Sequence, residues 1–126
     1  MTEKILSGQI GEEIAFLFLR LKGYQILRRN LRTRMSELDI VASLGDCLVF
    51  VEVKLRGPGS FLRPPECIDA RKRERLTKGA ALFLQNHEAN LYRTIRFDVI
   101  ALTYTREKLI AEHIEDAFAA EGLLGW

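Results

Sequence analysis

The chain has 126 residues, of which 48% are hydrophobic, 29% charged and 9% aromatic, which excludes a disordered, collagen-like or coiled-coil protein. One domain is expected over residues 1–126, with its core at about 7–114, because a chain of this length buries roughly two-thirds of its unfolded surface without a metal or disulfide. The net charge of +2 is far from the balance of a dedicated, strongly basic nucleic-acid binder, and no run of about 18 apolar residues predicts a membrane span.

The first element is a helix over Ser7 to Lys22. Ile10, Ile14, Leu17 and Leu21 recur at helical spacing and predict its buried face. Ser7 is placed to cap it and Gly23 to end it. Three strands follow, at Tyr24–Asn30, Glu37–Ser43 and Leu48–Lys54. Gly45-Asp46 predicts a tight turn that joins the second and third as a hairpin. Gly57-Pro58-Gly59-Ser60 and Pro64-Pro65 read as a long loop within one domain. A second helix is expected over Glu66–His87, with Pro65 at its first turn and Leu76, Ala80, Phe83 and Leu84 on its apolar face. Thr94–Thr103 is a fourth strand, Leu109–Ile114 a fifth, and Asp116–Ala120 a short terminal helix. A sheet between helices buries these faces.

The charge is unevenly distributed. Arg20 to Arg34 holds six basic residues and no acid, Lys54 to Arg75 seven against three acids, and Glu107 to Glu121 five acids against one lysine. This predicts a basic side of the fold, although solvating charge on exposed helices accounts for such runs equally well. Cys47 and Cys67 have no metal-like spacing, and Met1 to Gln9 shows no secretory pattern. Reduced thiols and a cytoplasmic location are therefore expected.

The third strand carries the chemical signal. Alternation puts Val49, Val51 and Val53 on one face and Leu48, Phe50, Glu52 and Lys54 on the other. Glu52 thus breaks an apolar segment, at a cost unless a positive group meets it. A Glu-x-Lys triplet alone is weak, since roughly 0.4 matches arise by chance in such a chain. On the second strand Leu38 and Ile40 are expected on one face, and Glu37 and Asp39 on the other. Pairing through the Gly45-Asp46 turn would bring Asp39 to Glu52. Two carboxylates held together call for a cation, and oxygen ligands suit Mg²⁺ or Mn²⁺.

Asp39 followed by Glu52-Val53-Lys54, after a helix carrying Glu12, resembles the PD-(D/E)XK core of restriction endonucleases and archaeal Holliday-junction resolvases. More closely, the chain resembles the YraN family of uncharacterised bacterial proteins. The matching segments are Gly8-x-x-Gly11-Glu12-x-x-Ala15, Gly23-Tyr24-x-Ile26-Leu27-x-Arg29-Asn30, Glu37-Leu38-Asp39-Ile40, Val49 to Lys54 with Arg56, Lys72-x-x-Arg75-Leu76 and Arg96-Phe97-Asp98-Val99. Leu38 replaces the proline of the motif name, and Ser36 stands where the close family usually has glycine.

The resemblance implies an α/β, restriction-endonuclease-like fold, a central mixed β-sheet flanked by helices in the order α-β-β-β-α-β plus a short tail. It implies Asp39 and Glu52 as metal-binding carboxylates, the Val53 carbonyl as a further ligand, Glu12 as an acid reaching the same centre, and Lys54 as the lysine beside the attacking water. Arg29, Arg32, Arg34, Arg56, Lys72 and Arg75 are candidate phosphate contacts. Asp98 is expected to pair with an arginine and fix the fourth strand. His87 and His113 have no ligand-like spacing and are expected to be structural or surface residues.

The function implied is a Mg²⁺- or Mn²⁺-dependent endonuclease acting on DNA, branched or single-stranded. The competing readings are a non-cleaving binding module in a DNA repair, recombination or uptake complex, and a protein-interaction domain without nucleic acid. Resolvase-like relatives act as dimers, which leaves a homodimer and DNA-processing partners open, but the sequence identifies no dimer face.

Overall fold

The computed structural model describes residues 8–57, 68–85 and 91–119. Two helices and five strands follow in the order α1 (Gly8–Leu21), β1 (Gln25–Arg32), β2 (Glu37–Leu44), β3 (Cys47–Arg56), α2 (Ala70–Gln85), β4 (Thr94–Tyr104) and β5 (Leu109–Phe118). The strands form one sheet in sequence order. Neighbours are antiparallel except β3 and β4, which run parallel with α2 between them in the chain. The parallel step needs a crossover, and α2 supplies it. The α/β architecture with a central mixed sheet flanked by helices is as expected.

The hairpin expectation holds. Leu44 pairs with Cys47, so Gly45 and Asp46 form a two-residue loop, and Gly45 takes φ +58, which a glycine adopts without strain. Alternation along β3 also holds, because both faces of this central strand are covered. Leu48 and Phe50 join the core under α2 with Leu76, Ala80, Phe83, Phe97 and Val99. Val49 and Val51 join the core under α1 with Ala15, Leu19, Ile100 and Leu102.

Four expectations need correction. The face of α1 that meets the sheet is Gly11, Ala15 and Leu19, not Ile10, Leu17 and Leu21, which are exposed. Small residues allow the closer approach: a Cβ on Gly11 would lie 3.5 Å from Leu55 and 3.6 Å from Leu102. Second, α2 begins at Ala70 rather than Glu66. Asp69 caps it, its carboxylate accepting the Lys72 N–H at 2.8 Å. Third, the final segment is strand through Phe118, not a helix from Asp116. Phe118 pairs with Phe97 in the ladder and stacks on its ring at 4.8 Å, so tertiary packing overrides the helical preference of the alanines. Fourth, Leu38 packs under α2 while Ile40 packs under α1. Opposite Asp39, Asn30 takes φ +51, and the ladder steps from Arg29↔Ile40 to Leu31↔Leu38. Ser7, Pro58 to Cys67, His87 and Ala120 lie outside the described residues.

Asp98 is fully buried on β4. Arg96 donates to both of its oxygens at 2.8 Å, and the Asp116 N–H donates at 3.0 Å. His113 Nε2 lies 2.7 Å from it. Lys22 Nζ is 2.6 Å from the other ring nitrogen. An ammonium can only donate, so Nδ1 accepts and Nε2 carries the proton given to Asp98. Burial alone would raise the Asp98 carboxyl, but the bonds from His113, Arg96 and the Asp116 N–H, with the Arg96 charge, hold it below its usual value. Asp98 therefore pairs with an arginine as expected, and His113 is structural.

Candidate metal and phosphate site

At one end of the sheet β2 leaves the regular ladder. Its pairing with β3 runs from Leu44↔Cys47 to Ile40↔Val51. At the next position the Asp39 side chain takes over from the backbone, and its Oδ2 accepts the Val53 N–H at 2.9 Å. This turns Asp39 toward β3, where its carboxyl comes within interaction range of Glu52. The expected meeting of Asp39 and Glu52 is present.

The β1–β2 connection sets the approach. The Thr33 hydroxyl accepts the Met35 and Ser36 N–H groups at 3.1 and 3.0 Å, while Thr33 N–H donates to the Ser36 carbonyl at 2.8 Å. This turn delivers Glu37 to the start of β2. α2 lies directly against it, since a Cβ on Gly79 would fall 2.3 Å from Ser36 Oγ. Glycine is needed at position 79 for that contact.

Carboxylate oxygens of Glu12, Glu37 and Asp39 lie within 4.8 Å of one another. Glu12 comes from α1 and Glu37 and Asp39 from β2, so two elements contribute. Glu37 was not among the expected ligands. Its signal was its place two residues before Asp39 on the same strand. Glu12, Asp39, Glu52, Val53 and Lys54 line one open cavity of about 360 Å³ with Ile68, Asp69, Lys72 and Arg75. Lys72 Nζ reaches Glu52 at 3.3 Å and balances part of the acidic charge. No ion pair among the described residues involves Lys54.

The acids perturb each other. Burial, then the hydrogen bond and charge of Glu52, raise the Asp39 carboxyl to about 8, against the Val53 N–H and Lys72, which lower it. Burial, then the charges of Asp39 and Glu37, raise Glu12, and a hydrogen bond with Asn30 opposes them. The cation-free cluster therefore holds a proton that a divalent ion would displace.

A stability consequence follows. The folded Asp39 carboxyl titrates near 8 and the unfolded one near 3.8. The folded chain binds the extra proton between them, so this stabilisation is complete below about pH 4 and lost as pH rises through 8. Asp39→Asn should therefore be more stable than wild type at pH 9 with EDTA, by at least ~2 kcal/mol, and lose that advantage at pH 4. Urea unfolding at the two pH values measures it; equal midpoints at pH 9 would show that Asp39 is not strained.

The expected basic residues divide. Lys72 and Arg75 line the acidic cavity. Arg32 and Arg34 border a neighbouring open groove of about 470 Å³ with Arg28, Leu31, Leu82 and Phe83, and Arg32 lies 3.5 Å from Glu37. Arg29 and Arg56 are engaged elsewhere. Arg29 pairs with Glu13 and covers the Phe16 ring at 4.1 Å. Arg56 binds Thr103 at 2.7 Å and Glu112 at 3.0 Å.

The profile described as uncharacterised protein family UPF0102 matches residues 11–102. A UPF0102 protein of Alkaliphilus oremlandii is 40% identical over 94% of this chain and 100% of its own. One from Moorella thermoacetica is 43% identical over 88% of this chain and 93% of its own. Among solved structures, that of Pyrococcus furiosus SfsA in complex with Ca²⁺ aligns with a TM-score of 0.42 and 18% identity, over 86% of this chain and 62% of that one.

Proposed function

The chain belongs to the uncharacterised protein family UPF0102, the YraN family, and we propose that it is a Mg²⁺- or Mn²⁺-dependent deoxyribonuclease of the PD-(D/E)XK type. One observation carries this reading: the Asp39 carboxylate of β2 accepts the Val53 N–H of β3 beside Glu52, in a cavity that also holds Glu12, Lys54, Lys72 and Arg75.

The donor set is all oxygen, which fits a hard divalent ion rather than zinc or copper. Asp39 and Glu52 would hold it with the Val53 carbonyl, and Glu12 and Glu37 would complete or adjust its shell. When bound, such an ion polarises a phosphoryl oxygen and acidifies a water. The Lys54 ammonium orients the attacking water and offsets charge as the transition state forms. Lys72 steadies Glu52 at the wall, and together with Arg75 it attracts the backbone phosphates.

The Lys72–Glu52 pair also favours a second reading. It supplies a cation within the chain, so a module that binds DNA without cutting it could keep this geometry. Purified protein incubated with supercoiled, single-stranded and four-way-junction DNA decides between them. Strand scission with Mn²⁺ and none with EDTA is expected. Binding without scission in Mn²⁺ and Mg²⁺ would leave the module, and no binding at low salt, where phosphate contacts are strongest, would remove both.

A further inference from the structure

We propose that the outer face of α1 pairs with the same face of a second copy of this chain, the two helices running antiparallel. Ile10, Ile14, Leu17 and Leu21 succeed one another at spacings of four, three and four, the repeat of a two-helix seam. The fold uses this stripe only in part: Ile14 is half-buried and packs against the core under α1. α1 rests on the sheet through Gly11, Ala15 and Leu19, leaving Ile10 49%, Leu17 50% and Leu21 89% exposed. Leu109, 41% exposed, stands on the same side of the sheet. It pairs with Tyr104, as Ala111 pairs with Leu102, and Leu102 and Ala111 belong to the core under α1. An exposed apolar patch of this kind marks an interaction surface.

Self-complementarity identifies the occupant. In an antiparallel pair Ile10 meets the partner's Leu21, and Ile14 meets the partner's Leu17. Two-fold symmetry repeats both contacts. The flanking residues agree. Glu13 and Arg20 each precede a seam residue, Ile14 and Leu21, and so lie on one flank of the stripe. Antiparallel pairing places Glu13 beside the partner's Arg20, twice over. Parallel pairing would instead set Glu13 against the partner's Phe18, with no charge to meet. Both groups are already held at that flank: Glu13 pairs with Arg29, and the Arg20 guanidinium lies 5.6 Å from the Phe16 ring centre. One helix pair is a small interface, so a dissociation constant of about micromolar size is expected.

Sedimentation of the full chain from about 1 to 500 μM tests this. Wild type should pass from monomer to dimer. Leu17→Glu should weaken association by about 100-fold or more, because each dimer loses two buried leucines. Arg20→Glu and Glu13→Arg should each stay monomeric alone and associate when mixed in equal amounts, because only the mixture restores both ion pairs. These are surface substitutions, so they carry the test if Leu17→Glu fails to fold. Wild type remaining monomeric, a dimer indifferent to Leu17→Glu, or a mixture that stays monomeric while both chains show native circular dichroism would overturn the proposal.

Discussion

Asp39→Asn is expected to lower Mn²⁺-dependent scission by about 10³-fold or more, the largest functional effect of any single substitution in this chain. The amide keeps the size of the side chain and can still accept the Val53 N–H, which Asp39 Oδ2 now accepts at 2.9 Å. What it loses is the negative charge, and with it the affinity for a hard cation. Glu52→Gln should act similarly, and Lys54→Ala should cost about 10²- to 10³-fold by removing positive charge where the transition state needs it. Loss of fold is separable from loss of chemistry here, because Asp39→Asn is expected to stabilise the cation-free chain at high pH. Arg75→Ala, at the cavity, should weaken DNA binding, whereas Arg29→Ala, whose charge is held by Glu13, should leave it within about twofold. Single-turnover cleavage, Mn²⁺ titration and DNA binding on the same variants give the comparison. Full scission by Asp39→Asn would remove that carboxylate from the reaction.

The largest loss of stability should come from Asp98→Ala, at about 3–5 kcal/mol. This is a large part of the 5–15 kcal/mol typical of a domain. The substitution removes the acceptor of both Arg96 bonds, of the Asp116 N–H and of the His113 ring, leaving the half-buried Arg96 without its main counter-charge. The Asp116 N–H matters for the sheet as well. The β4–β5 register jumps between Phe97 and Val99, and Asp116 takes φ +53 within that irregularity. Asp98 thus holds β5 in place while the pairing is interrupted. Asp98→Asn should cost less, since it retains an acceptor oxygen. Because the folded carboxyl is held below its unfolded value, the wild-type stabilisation is present above about pH 4 and lost as pH falls further. Urea unfolding at pH 7 measures the loss; a midpoint shift worth less than about 1 kcal/mol would show that water or repacking replaces the carboxylate.

The amino-acid sequence by itself determined the order of elements as far as the start of β5, the Gly45-Asp46 hairpin, the two-faced β3 strand and the approach of Asp39 to Glu52. All of these rest on local regularities: alternation along a strand and a glycine where the turn needs positive φ. The tertiary structure alone decided which of two apolar stripes α1 buries, because helical periodicity records hydrophobic spacing and not the closer approach that Gly11 and Ala15 allow. It also decided that Leu38 and Ile40 part to opposite cores, that Glu37 joins the acidic cluster, and that Phe118 ends a strand. The arginines divide for the same reason. Lys72 and Arg75 face the acids across the cavity while Glu13 and Glu112 hold Arg29 and Arg56, and a partner distant in the chain is met only once the sheet has brought it near.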